Sequence, residues 1–491
     1  MLGSIIEKEL KGILQSPKFF ATFAVCSLLM LLSVYIGVKE YNAQVEQYEN
    51  ALSLNNQQLA ESTSWRSLNF KAYRKPEPMQ IFVSGLSNDI GRWTSINQMT
   101  SIKLQNSIYS DDPIFSVFRF IDFAFIVQVV LSLFAILFTY DAVSGERESG
   151  TLKLVFSNAV KRTQYIVAKM VGSWLGLVIP MLIPILLSIL LVIIMGVSLT
   201  AGDWLKLMIL VGLSLLLFTF FIVFGVLVSC LTRHSNISFL VSLVSWVLFV
   251  LIIPRAGVMM AGQFVPVPRV AEIEGQRDAF AKDLWATFYE ESMQRWDEFN
   301  ESANGDGGDE DSGFEMDDEL LWARMQEEDS ARKVVDRQIE EYEIRLQEEL
   351  RQRKTAQERL AFSLSRFSPT SAYQLAAMTL AGTDIELKAR NLDVMQNYRN
   401  QFVDYTENKI KETNDLSGVM MVEINSEEGI KINNKRNDKV LDVSDMPQYV
   451  PSDQPLSKSL ASIVVDGGIL GLFILLGFAG AFIRMLRYDV R

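Results

Sequence analysis

Six long apolar runs are the feature that most constrains how this 491-residue chain can fold. A helix of about 20 apolar residues crosses the roughly 30 Å hydrocarbon core of a bilayer. Hydrophobic residues make up 49% of the chain and are concentrated in these blocks. The sequence therefore predicts a mainly α, polytopic membrane protein with six transmembrane helices. The runs are Phe19–Val38, Phe118–Tyr140, Val171–Met195, Leu205–Leu231, Ile237–Pro254 and Leu460–Ile483.

The N-terminus admits two interpretations. Lys8, Lys11 and Lys18 precede the first run, as in a signal peptide, but the run is long for one and no small-residue cleavage site follows it. Within residues 1–14 the side chains of Leu2, Ile6, Leu10 and Ile13 share one helical face and the charged residues lie opposite, which is typical of a helix lying in the membrane interface. Ser16-Pro17 predicts a break before the first span. The alternative is a straight extension of that span.

Basic residues predict the orientation, because Lys and Arg accumulate in short cytoplasmic segments. Twelve of them lie in four short segments that share one side of the predicted topology, whereas loop 39–116 holds seven in 78 residues. Both termini are therefore expected to be cytoplasmic. The predicted segments are 1–18 (interfacial helix), 19–38 (first span), 39–116 (extracytoplasmic loop), 117–140 (second span), 141–170 (cytoplasmic loop), 171–254 (third to fifth spans), 255–459 (extracytoplasmic domain), 460–483 (sixth span) and 484–491 (cytoplasmic tail).

The predicted extracytoplasmic domain is acidic and mostly helical. Residues 254–459 contain 25 Lys and Arg against 41 Asp and Glu, a net charge of −16, while the rest of the chain sums to +4. This balance makes nucleic acid an unsuitable partner. Two apolar faces predict antiparallel helices joined by an acidic tip at 301–318. Their members are Leu284, Phe288, Trp296 and Phe299 on one helix and Val335, Ile339, Tyr342 and Leu346 on the other.

Two smaller elements are predicted near the end of this domain. The segment SPTSAYQLAAMTLAGTD at 368–384 predicts a helix that begins at Ser368-Pro369 and lies on the outer membrane face. Residues 418–432 alternate in polarity around Glu428-Gly429, which predicts a small β-hairpin.

The chain carries no signature of an enzyme. It has no phosphate-binding loop, a single histidine at 234 and two cysteines, Cys26 and Cys230, that both lie in apolar runs. We therefore expect no catalytic residue, no metal site and no cofactor in this chain. The acidic tip has some EF-hand spacing, but Asp309 stands where the calcium loop requires glycine, so a solvated hinge is the better interpretation.

Polar and small residues within the apolar runs predict helix contacts. Arg119 and Asp122 are three residues apart and could form an interfacial ion pair. Gly467 and Gly471 form a GxxxG step, and Gly477 follows, so we expect close helix packing within or between subunits.

The loop 141–170 is too short to be a domain, and its glycines bracket a charged triplet in SGERESGTLKLVF. It predicts a short helix that offers a rigid contact to another protein, or else an ordinary polar connection. Residues 140–169 resemble the inner loop of ABC-2 type transporter permeases, with matches at Glu146, Glu148, Gly150, Thr151, Leu152, Arg162 and Lys169. Segments 73–86 and 367–384 resemble larger members that have an extended extracytoplasmic domain before the last span, although this domain is longer than in compact members.

That resemblance implies a permease that couples to a separate ATP-binding subunit, which would hold ATP and Mg²⁺. The coupling residues would be Gly145, Glu146, Arg147, Glu148, Gly150, Thr151 and Leu152. The further partners would be a second permease copy or a paralogue, membrane lipid and an extracytoplasmic protein, and the location would be the bacterial inner membrane. An exporter is the leading hypothesis. The alternatives are a mechanotransmission subunit that moves its outer helices without transport, and a receptor or scaffold. The substrate and the choice between homodimer and heterodimer stay open.

Overall fold

The computed structural model describes residues 2–88, 90–97, 102, 104–105, 121–158, 160–304, 318–413, 420–425, 429–434, 440–451 and 456–487. Within them the chain is mainly helical and carries two small antiparallel sheets. The helices before the long polar region are α1 (Leu2–Leu14), α2 (Pro17–Ala60), α3 (Phe123–Phe125, Ile126–Leu131 and Ser132–Thr139 without a break), α4 (Ser144–Glu148), α5 (Thr151–Ser157), α6 (Arg162–Ile194), α7 (Ala201–Leu231) and α8 (Ser235–Val247, Leu248–Ile252 and Ile253–Phe264 without a break). The later helices are α9 (Val270–Asn304), α10 (Asp318–Ser365), α11 (Pro369–Ala381), α12 (Glu386–Thr413) and α13 (Leu456–Leu486).

Six of these stretches are long and apolar enough to cross a membrane, which confirms the predicted polytopic α fold. They contain α2, α3, α6, α7, α8 and α13. Two spans depart from regular α-helix, because Ile126–Leu131 in α3 and Leu248–Ile252 in α8 are π-helical. Such wider turns leave backbone carbonyls that need partners from neighbouring elements.

The predicted break after the N-terminal helix is present. Helix α1 ends at Leu14, and α2 begins at Pro17 with Ser16 as its N-cap. The Ser16 hydroxyl accepts a hydrogen bond from the Phe19 amide at 3.2 Å, which satisfies one of the unpaired N–H groups at the helix start. The first span continues without a break into a polar helical stretch that ends at Ala60, inside the segment predicted as a loop.

Two compact units make up the chain, Met1–Ala256 with Leu364–Arg491, and Gly257–Ser363. In the first unit α13 packs along α7. A Cβ at Gly467 would lie 3.7 Å from Leu213 Cδ2, and one at Gly477 would lie 3.0 Å from Val223 Cγ1. Both glycines therefore face α7 at close range. Gly471 has no described atom within 4 Å of an added Cβ, so its predicted packing role stays a prediction.

Helix α11 begins at Ser368-Pro369 as predicted, but the structure buries it inside the first unit rather than on a surface. The Tyr373 and Ser214 hydroxyls are 3.0 Å apart near the middle of α7. Ser368 and Thr370 both donate hydrogen bonds to the Phe249 carbonyl in the π-helical part of α8. The surface expectation was wrong because α11 is made largely of Ala, Ser and Thr, which allow close approach and supply hydroxyl donors.

A buried ion pair joins α13 to the chain just before α11. Arg366 Nε lies 2.5 Å from Asp466 Oδ1, and Arg366 Nη2 lies 3.2 Å from Oδ2. The Asp466 side chain is 1% exposed and that of Arg366 is 28% exposed. Because the Asp466 carboxylate is removed from water, its negative charge is stabilised by the Arg366 guanidinium.

Both small sheets lie in the first unit. Strands β1 (Phe70–Tyr73) and β2 (Trp93–Ile96) are antiparallel and share a core with the end of α2 and with α12. Strands β3 (Met420–Asn425) and β4 (Gly429–Asn434) form the predicted hairpin, with Asn425 opposite Gly429. A short 3₁₀ helix at Pro78–Ile81 precedes a turn in which Gly85 has φ 46°. In that turn the Leu86 amide donates a hydrogen bond to the Thr383 carbonyl at 2.9 Å.

The second unit is a helical hairpin built from α9 and most of α10. Its core contains Phe288, Val335 and Ile339, with Leu284 packed against them, as the two apolar faces predicted. The rings of Phe280 and Tyr342 stack with centroids 4.1 Å apart. The acidic tip predicted to join these helices lies mostly at 305–317, outside the described residues.

We predict that Arg366→Met destabilises the protein, because it leaves the Asp466 carboxylate buried without a counter-charge. The free energy of unfolding should fall by about 3 kcal/mol. Arg366→Met combined with Asp466→Asn should recover most of the loss. Arg351→Met serves as the control, since Arg351 is 71% exposed and its contact with Glu348 spans 3.3 Å. Thermal unfolding in detergent measures all four proteins, and equal melting of Arg366→Met and wild type would contradict the prediction.

Candidate functional site

Two short helices, α4 and α5, occupy the loop between the second and third spans. Gly150 separates them and has φ 73°. This left-handed conformation is costly for residues with a Cβ, so glycine allows the abrupt change of direction from α4 to α5. No described atom lies within 4 Å of a Cβ added there, so the turn is open to its surroundings.

Glu146 lies at the centre of a charge network on the inner side of α4. Its Oε1 is 2.6 Å from Lys8 Nζ and 3.0 Å from Lys169 Nζ, and its Oε2 accepts a hydrogen bond from the Tyr165 hydroxyl at 2.6 Å. Lys169 is also 2.6 Å from Glu9 Oε1. The Lys169 side chain is 3% exposed and that of Glu146 is 13% exposed, so their contact is shielded from water, whereas the Lys8 side chain is 60% exposed. Shielded ion pairs of this kind hold their elements in one arrangement.

The network fastens the N-terminal helix to the loop and to α6. Partial burial opposes the charge on Lys8, but the hydrogen bond to Glu146 and the nearby acids outweigh it and raise the pKa of Lys8. Glycine permits the close approach of α1 to α6. A Cβ at Gly172 would lie 2.7 Å from Glu9 Cβ, and one at Gly176 would lie 3.2 Å from Ile13 Cδ1.

A second group of contacts ties α4 to the turn between α7 and α8. The Ser229 hydroxyl accepts hydrogen bonds from the backbone amides of Val143 and Ser144, each at 2.9 Å. Arg147 Nη1 donates to the Thr232 carbonyl at 2.6 Å. Glu148 accepts a hydrogen bond from the Ser235 amide at 3.1 Å, at the first residue of α8. Four spans and α1 therefore meet around one short helix.

Of the seven predicted coupling residues, three face inward, three are exposed and Gly145 is half-buried. Glu146, Arg147 and Leu152 turn inward, and Leu152 is only 1% exposed. Gly145 packs near Asp141 and Ser235. The other predicted residues, Glu148, Gly150 and Thr151, are exposed together with Ser149, Lys153 and Leu154. We call these six exposed residues the loop surface.

The sequence patterns missed most of the inward partners. Lys169 was identified through the resemblance, but Lys8, Glu9 and Tyr165 were not assigned to the site. A signal was present, because Lys169 lies two residues before the apolar run Val171–Met195 and a cation there needs an acidic partner if it is buried. Spacing along the chain does not indicate which acid that is, since Glu9 and Glu146 are far from Lys169 in sequence.

The start of α6 and the end of α13 also meet near the loop. Arg162 at the start of α6 donates from Nη1 to the Leu486 carbonyl at the end of α13, at 2.7 Å. The N-terminal helix, the loop and the last turn of α13 therefore share one end of the first unit.

The predicted pair of Arg119 and Asp122 stays a prediction, because Arg119 lies outside the described residues. Asp122 has other partners. Its Oδ2 accepts hydrogen bonds from the Ser84 amide at 2.9 Å and the Ser84 hydroxyl at 3.0 Å. Its Oδ1 accepts one from the Phe125 amide at 2.8 Å.

Comparison with known families matches residues 4–489 to a family described as ABC-2 family transporter protein. The match spans all six membrane helices and the polar region between the fifth and the sixth. No curated protein matches the chain.

We predict that Gly172→Leu separates α1 from α6, because the new side chain occupies the space of Glu9. Hydrogen exchange of the α1 amides should accelerate by about tenfold, equivalent to roughly 1.4 kcal/mol of lost protection. Gly212→Leu is the matched control, since Gly212 also lies within a spanning helix but an added Cβ meets no described atom within 4 Å. If Gly172→Leu leaves α1 as protected as in wild type, α1 is not held by this contact.

Proposed function

The chain belongs to the ABC-2 family of transporter proteins, and from this premise we propose that it is the permease subunit of an ATP-driven exporter. Its loop 141–170 would dock on a separate ATP-binding subunit, and two permeases, identical or paralogous, would pair in the transporter. ATP and Mg²⁺ would bind to that partner. In this assignment the loop surface faces the cytoplasm, and so do both termini.

The observation that carries the proposal is the way the loop surface is supported. The loop surface is exposed. The inner side of the same loop is held to several different helices through Glu146, Arg147 and the Ser229 hydroxyl. A push on such an element reaches all the helices it touches, because shielded charge pairs and hydrogen bonds permit few alternative arrangements. An ordinary polar connection would not need this many anchors.

The chemistry of the loop surface suits a protein groove. Leu154 is 65% exposed, so it offers an apolar side chain that a partner could bury. Glu148 and Lys153 are exposed on the same loop with opposite charges, and peripheral charges of this kind would mainly affect the rate of docking. An interface with a small apolar centre and a charged rim is the usual arrangement in protein complexes.

Energy would reach the spans by a shift between two conformations. ATP would favour a closed pair of ATP-binding subunits, and closure would move the docked loops together with the adjoining ends of α3 and α6. The partner can shift this equilibrium only through contacts that differ between the two states. The network around Glu146 would carry α1 along with the loop.

We predict that Glu148→Arg and Gly150→Pro abolish co-purification with the ATP-binding subunit. The first reverses a charge on the loop surface and removes the acceptor for the Ser235 amide. The second is incompatible with φ 73° and with the bond from the Gly150 amide to the Arg147 carbonyl. Affinity should fall by at least about 100-fold, or roughly 2.7 kcal/mol.

Two controls separate docking from general damage. Glu148→Gln keeps an acceptor for Ser235 and should bind the partner within about threefold of wild type. Gly196→Pro changes a glycine of similar conformation, φ 78° and also open, in the connection between α6 and α7. It should leave the complex intact. Unchanged co-purification of both Glu148→Arg and Gly150→Pro would rule out docking at this loop.

The second unit favours one alternative, a mechanotransmission subunit that moves its helices against an extracytoplasmic partner without transport. Its helices are long, since α9 alone has 35 residues and would span roughly 50 Å. A long hairpin with its own core can act as a lever. An exporter does not require one.

Deleting residues 301–317 and bridging the gap with a short Gly-Ser linker tests the two functions. For an exporter we expect the deletion to complement a strain that lacks the gene, with ATPase activity of the purified complex unchanged. For a mechanotransmission subunit, complementation should fail while ATPase activity persists. The control replaces the same 17 residues with a Gly-Ser segment of equal length.

A further inference from the structure

A small cavity in the first unit lies between the two π-helical segments and α11. Its volume is about 40 Å³, and its walls include Phe125 and Gln128 from α3, Val250 from α8 and Gln374 from α11. This volume holds about three water molecules, so it accepts a group of a few heavy atoms. Wider helical turns on two facing walls are frequent at functional sites.

Two carboxamides inside the cavity have unused hydrogen-bonding capacity. Gln128 is 4% exposed and Gln374 is 6% exposed. Among the residues that the structure describes, neither side-chain amide has a hydrogen-bond partner. Neither amide is among the enclosed polar groups that lack a partner in the described part of the chain, so both reach the open volume of the cavity and can bind a polar group there.

The lining of the cavity includes one acidic and one basic residue. Asp122 contributes a carboxylate, but three donors already occupy its oxygens. Arg255 contributes a guanidinium and is exposed, so the cavity opens to the surface beside it. Carboxamides donate and accept at once, which matches hydroxyl and amide groups rather than a bare anion or cation.

The surface beside the opening is apolar. Ile252, next to the lining residue Leu251, is 51% exposed, and Leu248 one turn earlier is 41% exposed. These side chains project from a helix that is long and apolar enough to span a membrane. An alkyl chain lying along them would remain in the hydrocarbon region while its head entered the cavity.

We propose that this cavity binds an uncharged amphiphile whose compact head carries hydroxyl or amide groups. Gln128 and Gln374 hydrogen-bond the head, and the tail lies along α8. The ligand is either cargo or a resident lipid, since both share this chemistry. The site does not depend on coupling to an ATPase, so it can be tested without nucleotide.

The test uses the full-length protein in phosphatidylcholine nanodiscs and a monoacylglycerol with a photoactivatable group in its acyl chain. We expect labelling of peptides from 121–131 and 246–256. Unlabelled monoacylglycerol should compete, whereas a lysophosphatidate with the same acyl chain should compete at least about tenfold more weakly, because its phosphate cannot be desolvated there. Labelling spread over all the lipid-facing helices, or equal competition by lysophosphatidate, would overturn the proposal.

Variants connect the labelling to the cavity. Gln128→Leu and Gln374→Leu should each raise the half-competing concentration about fivefold, for one lost hydrogen bond. Val250→Phe should reduce labelling by filling the cavity without changing its polarity. Gln396→Leu on α12, where the amide bonds to exposed Asn400, is the control and should behave as wild type. If Gln128→Leu does not fold, Gln374→Leu and Val250→Phe decide, and wild-type labelling in both would overturn the proposal.

Stimulation of ATPase activity in the assembled complex distinguishes the two sources of ligand. Cargo should stimulate hydrolysis in wild type and not in Val250→Phe. A resident lipid should be labelled in the same peptides without stimulation, and it should raise the melting temperature of wild type more than that of Val250→Phe. Both results support the site. Stimulation that is equal in the two proteins, without labelling of these peptides, contradicts it.

Discussion

The charge network around Glu146 is the interaction on which the loop arrangement depends. One carboxylate receives two ammonium groups and a phenol hydroxyl, and one of those ammonium groups is shared with Glu9. The charges of Lys169, Glu146 and Glu9 would be expensive to bury alone, and together they compensate one another. The network brings three elements that are distant in sequence to one place. These contacts hold the inner side of the loop between the second and third spans against α1 and α6.

A second constraint operates deeper in the membrane helices. The π-helical turns of α3 and α8 disturb the regular hydrogen bonding that a lipid environment demands. The structure compensates with side-chain hydroxyls. Ser368 and Thr370 donate to the Phe249 carbonyl in α8, and the Ser132 hydroxyl donates to the Gln128 carbonyl in α3. Helix α11 is therefore part of the membrane helix bundle, and it forms one wall of the cavity beside the two irregular turns.

The sequence predicted elements well where local chemistry determines them. The six spans follow from the length of apolar runs, the break at Ser16-Pro17 follows from proline, and the hairpin of β3 and β4 follows from alternation. It failed for α11, because the sequence does not show what this helix packs against. The Phe249 carbonyl accepts two hydroxyl hydrogen bonds at the start of α11, and neighbouring helices cover the rest, neither of which is visible in a local pattern. The same limit hid Lys8 and Tyr165 from the candidate site.

The central claim is that the loop surface faces the compartment of the ATP-binding subunit and is covered by that subunit. Labelling of a single introduced cysteine tests this claim most directly. The two native cysteines, Cys26 and Cys230, are buried, so Leu154→Cys introduces the one exposed thiol among the described residues. A membrane-impermeant maleimide should label it in inside-out vesicles and not in intact cells, and the added ATP-binding subunit should block the reaction. Labelling from outside intact cells, or labelling unaffected by that subunit, would contradict the account.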